Sequence, residues 1–173
     1  MANDTQAIIE ESRRNLDRAI EFLKFAEAKN GAAIAFASAL VLTTLQIKDG
    51  LSQLSLHELI GCIFALAAAL VCARSFIPVM SWSKNNDGKA TKKNILFFGD
   101  IGSMSSEEYS RALAQSLSGS ANTLPQEYAV QVVTVSRIAR DKMNNFSLGA
   151  ILLAIGMFFL SYSIFAELFN RLS

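Results

Sequence analysis

Residues 123–170 read TLPQEYAVQVVTVSRIARDKMNNFSLGAILLAIGMFFLSYSIFAELFN, and this stretch decides the fold. Thr123 is a helix cap. Gln126, three residues on, can reach back to the cap's own N–H, and Pro125 sits in the first turn, where a missing N–H leaves nothing unpaired. No Gly or Pro then appears before Gly149, and the helical pattern holds to the end. Gln126–Asn145 is amphipathic, with Ala129, Val132, Val133, Ile138 and Ala139 set against Glu127, Arg137, Arg140, Asp141 and Lys142. Phe146–Ala166 then runs 21 residues without a charge, a length that suits one bilayer crossing. Unbroken, such a helix is about 70 Å long at 1.5 Å per residue. It would fix a water-exposed segment rigidly to a membrane span.

The rest of the chain is apolar in the same blockwise way. It has 173 residues, 51% of them hydrophobic, with mean hydropathy +0.31, too apolar for an ordinary soluble domain of this size. Gly31–Ile47 is 17 residues without a charge and Leu59–Ala73 is 15. Arg74 can snorkel to the boundary, letting Ser75–Met80 continue the second segment. A soluble bundle needs a polar face on each helix, and these blocks lack one. The expected fold is an all-α membrane protein with three transmembrane helices and a small helical cytoplasmic domain, its third span continuous with a long cytoplasmic helix. The division expected is 1–30, a cytoplasmic amphipathic helix; 31–80, two spans; 81–145, a cytoplasmic helical insert; and 146–173, the third span and a short external tail. Lys and Arg crowd into residues 1–30 and 74–145, while the 48–58 loop and the C-terminal tail hold one each. The bias puts the N-terminus in the cytoplasm of a multi-pass protein, with Trp82 and Tyr162 as interfacial anchors. Residues 1–30 are charged throughout, unlike a signal peptide.

Several function classes fall away. A net charge of +1 supplies no field for a nucleic-acid polymer. Cys62 and Cys72 lie about 15 Å apart on one helix, too far to pair, and read as packing residues. No metal-ligand spacing and no cofactor motif occurs. His57, the single His, falls in the external loop, and no Ser has a base to activate it. No carboxylate or His falls inside a span, which argues against an ion-coupled carrier. The chain does not read as an enzyme.

Binding remains. Asp4–Lys29 forms an amphipathic helix, with Ile9, Leu16 and Leu23 at a spacing of seven and Ile20 between. Its mixed-sign outer face points to a protein neighbour, the 126–145 helix, rather than to lipid. Glu27 and Lys29 sit where the first span begins, either as interface anchors or as a polar cluster facing a cytoplasmic pocket. Ser81–Lys93 is a polar turn region, and Gly119–Asn122 a loop. Asn94–Ile101 (NILFFGDI) suggests a short extended piece and a turn. Ser105–Glu108 is a capping box opening a helix to about Leu117. Phe97 and Phe98 either pack as core or offer rings to stack on, with Asp100 beside them as an acceptor. Arg137 and Arg140 share a helix face and are either positive-inside anchors or forked donors suited to an anionic ligand. Lys29 completes the candidate set. Small residues recur every four positions at Gly31, Ala35 and Ala39, at Gly61, Ala65, Ala69 and Ala73, and at Ala150 and Ala154. Such rows let helices approach closely in lipid, within one chain or between copies.

Ala26–Asn30 at the start of the first span, Asn94–Ile101, the Glu108–Tyr109 pair, and Gln131 with Ser136–Ala139 and Lys142 together resemble the transmembrane effectors of Pycsar, the bacterial pyrimidine-cyclase antiphage system. The resemblance covers most of the chain; Asn94–Gly99 is its most specific piece, and Met143 stands where Tyr would be expected. It implies a receiver for cyclic CMP or cyclic UMP in the bacterial inner membrane, which then disrupts that membrane in abortive infection. The implied partners are the cyclic nucleotide, membrane lipids and further copies in a homo-oligomer. The rival reading is a non-enzymatic membrane anchor or adaptor that docks a cytoplasmic protein.

Overall fold

A computed structural model describes residues 2–77, 94–118 and 124–172. Every regular element among these residues is helical. Helix α1 covers Ala2–Ile47, α2 Leu56–Ala73, α3 Phe98–Ile101, α4 Ser106–Ser118 and α5 Leu124–Leu172. Three of them, α1, α2 and α5, are long and apolar enough to cross a membrane. The chain is thus an all-α protein of the expected class, and α5 runs 49 residues without a break at Asn145. The expected Thr123 cap, Trp82 anchor, 81–93 turn and 119–122 loop lie outside the described residues.

Helix α1 is also unbroken, through the boundary at residue 30 where its composition changes. The spacing explains this. Ile9, Leu16 and Leu23 continue by sevens into Asn30, Ala37 and Thr44, and Ser12, Ala19, Ala26, Ala33 and Leu40 run beside them. All of these are buried or half-buried. One seam therefore serves the whole helix, polar-flanked at first and apolar-flanked later. Past Ile47 the chain turns through Asp49 (φ 53°) and Gly50 (φ 117°), and the Gly50 N–H donates to the Leu45 carbonyl at 3.0 Å. This left-handed closure is one that glycine adopts without strain.

Helix α2 starts earlier than its apolar run suggests. Ser55 caps it in a reciprocal box with Glu58, so His57 lies in the first helical turn rather than a loop. The α-helix also stops sooner. It ends at Ala73, and Arg74–Phe76 continues the apolar span as a tighter 3₁₀ turn. Ile77 is extended, as suits a residue before proline.

Two compact units share these helices: Met1–Leu23 with Val79–Ala139, and Lys24–Pro78 with Arg140–Ser173. Helices α1 and α5 contribute to both. In the second unit the core is Ala37, Val41, Cys62, Ala65 and Leu160. Glycines set its closest approach: a Cβ on Gly156 would lie 2.9 Å from the Gly61 carbonyl oxygen. The row Gly61–Ala65 packs inward as expected. Ala35, Ala39 and Ala154 are exposed, and Ala33, Ala37, Gly149 and Gly156 take the inward positions instead. Both cysteines are buried and unpaired.

In the first unit the wet half of α5 departs from the amphipathic reading. Ala129 and Val133 are exposed, while Glu127, Gln131 and Ala139 are buried. The buried seam is partly polar, and Glu127 within it finds a partner on another segment, the Ile95 N–H. Asn94–Phe97 is a turn rather than an extended piece, and α3 is a single helical turn. The box before α4 forms as expected: the Ser105 N–H donates to Glu108 Oε2 and the Glu108 N–H to Ser105 Oγ, each at 3.1 Å.

Candidate functional site

The aromatic loop in the first unit is built by its own polar residues. Asn94 Oδ1 accepts the Leu96 N–H at 2.8 Å, an Asx turn. Asp100 Oδ2 accepts the Asn94 N–H at 2.8 Å, closing the loop on itself. The Phe97 carbonyl takes the N–H groups of Asp100 and Ile101, which starts α3. The loop is then pinned. Ile95 is among the largest fully buried side chains, and its N–H donates to Glu127 Oε2 at 3.3 Å. Glu127 lies in the first turn of α5, itself buried. Phe97, Phe98 and Asp100 thus stand on one short segment docked to the start of the long helix. Asp100 has one oxygen committed to the loop's own closure. Glu127 escaped the sequence reading, which placed it on the outer face; its partner is 32 positions away.

Arg137 also belongs to this unit. It is exposed and forms no ion pair among the described residues. Arg140 and Lys29 belong to the second unit. Arg140 is exposed and near Asp141, at 3.9 Å.

Within the second unit a polar junction ties three segments together near the end of the apolar spans. Lys142 Nζ donates to Glu27 Oε1 and to the Ser75 carbonyl, both at 2.7 Å. Asn30 Nδ2 donates to the Ala26 carbonyl at 2.8 Å and to the Lys142 carbonyl at 2.9 Å. Asn30 is completely buried. Its Oδ1 and the Ser75 Oγ are buried without a hydrogen-bond partner. Glu27 is thus paired with Lys142 while its side chain stays 41% exposed. Lys29 points elsewhere, with Nζ 4.6 Å from the Phe25 ring centre and 5.0 Å from that of Phe146.

A second cluster lies at the far end of the same unit. Glu58 is 3% exposed. It pairs with Lys48 at 3.0 Å, accepts from Ser163 Oγ at 3.1 Å, and accepts the Ser55 N–H at 2.8 Å. A carboxylate does therefore lie within an apolar helix, contrary to the expectation that the spans hold none. It was hidden because Glu58 precedes the uncharged run. Tyr162 lies against His57, ring centres 5.0 Å apart and planes tilted by 49°. Among the described residues no group of three His, Cys, Asp or Glu side chains could hold a metal.

These arrangements hold helices in register, set the half-buried Phe97 on a pinned loop and leave Arg137 exposed. Comparison with curated proteins finds no match, and comparison with solved structures finds none. Among known families, the one described as Pycsar effector protein domain, PycTM, matches residues 11–167. That match takes in α1, α2, the loop-bearing insert and α5 up to Glu167, and the chain belongs to the Pycsar effector family.

Proposed function

We propose that this chain senses a cyclic pyrimidine nucleotide, cyclic CMP or cyclic UMP, and then disrupts the inner membrane. Family membership gives it a role in Pycsar antiphage defence; the sensing and the disruption are our reading. The observation that carries it is the continuity of α5, with exposed Arg137 in one half and the uncharged run 146–166 in the other. The ligand-binding residues we assign in the first unit are Phe97, Phe98, Asp100 and Arg137, with rings for the base and the guanidinium for the phosphate. Arg140 and Lys29 were candidates for the same anion; they lie in the second unit, and Lys29 takes a different role below. Binding shifts an equilibrium between two helix packings, and a shift from 1:99 to 99:1 needs about 5.5 kcal/mol of differential affinity. Several charge-assisted contacts are therefore needed. The active form is a homo-oligomer in the bacterial inner membrane, N-terminus cytoplasmic, and the chain is not an enzyme.

Titration of purified protein with cyclic CMP and cyclic UMP tests this reading. Saturable binding of one is expected, with Arg137→Glu abolishing it while expression holds. Binding of neither removes the nucleotide from the proposal. A second reading, an adaptor that docks a cytoplasmic protein, is favoured by the exposure of Phe22, Val130 and Val133 in the first unit. It predicts a stable partner in pull-downs and no growth arrest when a cyclase is co-expressed.

A further inference from the structure

Lys29 is a half-buried lysine that pairs with no carboxylate among the described residues. Its ammonium is seated against the Phe25 and Phe146 rings instead. A cation over aromatic faces is attracted by the ring quadrupoles. Below it in the same unit runs an apolar groove between α1 and α5, of about 370 Å³. Phe36, Phe146, Ala150, Leu153 and Met157 are among its lining side chains, and Lys29 is the single charged one. From Lys29 to Phe36 and from Phe146 to Met157 the helices rise about 10 and 16 Å at 1.5 Å per residue. Both helices descend from the charged end into their uncharged runs. An open apolar groove with one cation at its end complements one class of molecule: an amphiphile with an anionic head and a hydrocarbon tail.

We propose that this groove binds an anionic phospholipid, its phosphate on Lys29 and one acyl chain along Phe36, Leu153 and Met157. A zwitterionic lipid fits the channel equally well but brings its own cation to the mouth. One interfacial lysine favours the anionic lipid by about fivefold. The site is separate from the nucleotide reading and needs only that α1 and α5 lie in a bilayer. It makes leaflet composition a determinant of how the spans are held.

The test is lipid titration of the full-length protein in detergent micelles, read by native mass spectrometry. Phosphatidylglycerol and phosphatidylcholine of identical chains are the probes. The wild type is expected to prefer phosphatidylglycerol about fivefold. Lys29→Ala should remove the preference and Lys29→Arg retain it, while Ala154→Phe, which fills the groove from its exposed side, should weaken both lipids alike. Equal binding of the two lipids by the wild type, or an unchanged preference in Lys29→Ala, overturns the proposal. So does displacement of phosphatidylglycerol by inorganic phosphate or cyclic CMP at the lipid's own concentration, which would make the cation a soluble-anion site. A change of oligomeric state in Ala154→Phe with no change in lipid binding would assign the groove to a second copy. Circular dichroism and elution volume confirm that each variant is folded.

Discussion

Lys142 answers to three parts of the chain at once. Its ammonium donates to Glu27 and to the Ser75 carbonyl, and its own carbonyl accepts from Asn30. The side chain is 15% exposed and Glu27 41%, so water screens the pair only from one side. Replacing Lys142 by Met keeps the volume but leaves a carboxylate and a carbonyl short of a donor. The expected loss is about 2–4 kcal/mol, read as earlier unfolding in a detergent titration. Glu27→Gln on the same background should add little, since a double-mutant cycle isolates the shared interaction. By contrast, Arg137→Met should lie within about 0.5 kcal/mol of wild type, because the side chain is exposed and forms no ion pair among the described residues. Glu107 is a gentler case. Its own backbone N–H, and then the Ser105 and Ser106 hydroxyls, hold its carboxyl below the usual carboxylate range. The folded-state pKa is depressed, so the stabilisation is present above the ordinary carboxylate pKa and fades as pH falls through the lowered one. Protection factors of the amides in the first turn of α4, corrected for the intrinsic pH dependence of exchange, should therefore fall on acidification, and Glu107→Gln should flatten that dependence. An unchanged pH profile in the variant would remove the role of this carboxylate. None of the Lys142 contacts could be read from the sequence, where it stands among charged neighbours on an outer face; its Glu27 partner is 115 positions away.

At the scale of elements, glycine decides how near α2 and α5 come. A Cβ on Gly156 would meet the Gly61 oxygen at 2.9 Å and the Ala65 nitrogen at 3.2 Å. Both are backbone atoms, and neither can rotate away. Gly61 faces the Leu160 side chain as well as the Gly156 oxygen, and a side chain can yield. Gly156→Ala should therefore cost about 1–3 kcal/mol as the helices part, more than Gly61→Ala. Ala154→Gly, on the exposed face, should not loosen the α2–α5 contact. Thermal unfolding in one detergent ranks the three, and a Gly156→Ala variant as stable as wild type would contradict the close approach. The small-residue rows signalled tight packing but not its face. Rows at a spacing of four run down several sides of α1, and Ala33–Ala37 packs inward while Ala35–Ala39 does not. A better guide was available in the spacing of seven that begins at Ile9. Followed past the change in composition, it lands on Asn30, Ala37 and Thr44 and marks the buried seam. Asn30 interrupts that seam with a polar group, a device that fixes register between packed helices. The aromatic loop was legible as a block, because Phe97 and Phe98 beside Gly99–Asp100 stand out by composition. That Asn94 and Asp100 close the block on themselves was not, since an Asx turn competes with an extended strand only once its acceptors are placed.

For the whole molecule, the blocks of apolar residues sufficed to give three spans and a continuous last helix, because a bilayer imposes its thickness on composition. They did not show that two helices, α1 and α5, contribute to both compact units. That duplication changes the expected behaviour of a broken lever. Proline at Asn144, an exposed position, removes one backbone donor and crowds the Arg140 carbonyl, kinking α5 at about 3 kcal/mol or more. If α5 alone carried the signal, Asn144→Pro would abolish growth arrest. With α1 also unbroken, the single variant should keep a reduced response, as should Ala28→Pro, and the double variant should lose it. Nucleotide affinity must stay near wild type in all three, since no ligand-binding residue assigned here is altered. Dye release from vesicles containing the purified protein, titrated with cyclic CMP and cyclic UMP, separates the cases. Full release by the double variant would mean that neither helix transmits anything, and loss of binding in either single variant would mean that the kink has reached the aromatic loop. A graded loss with binding retained is the outcome that two parallel helices require.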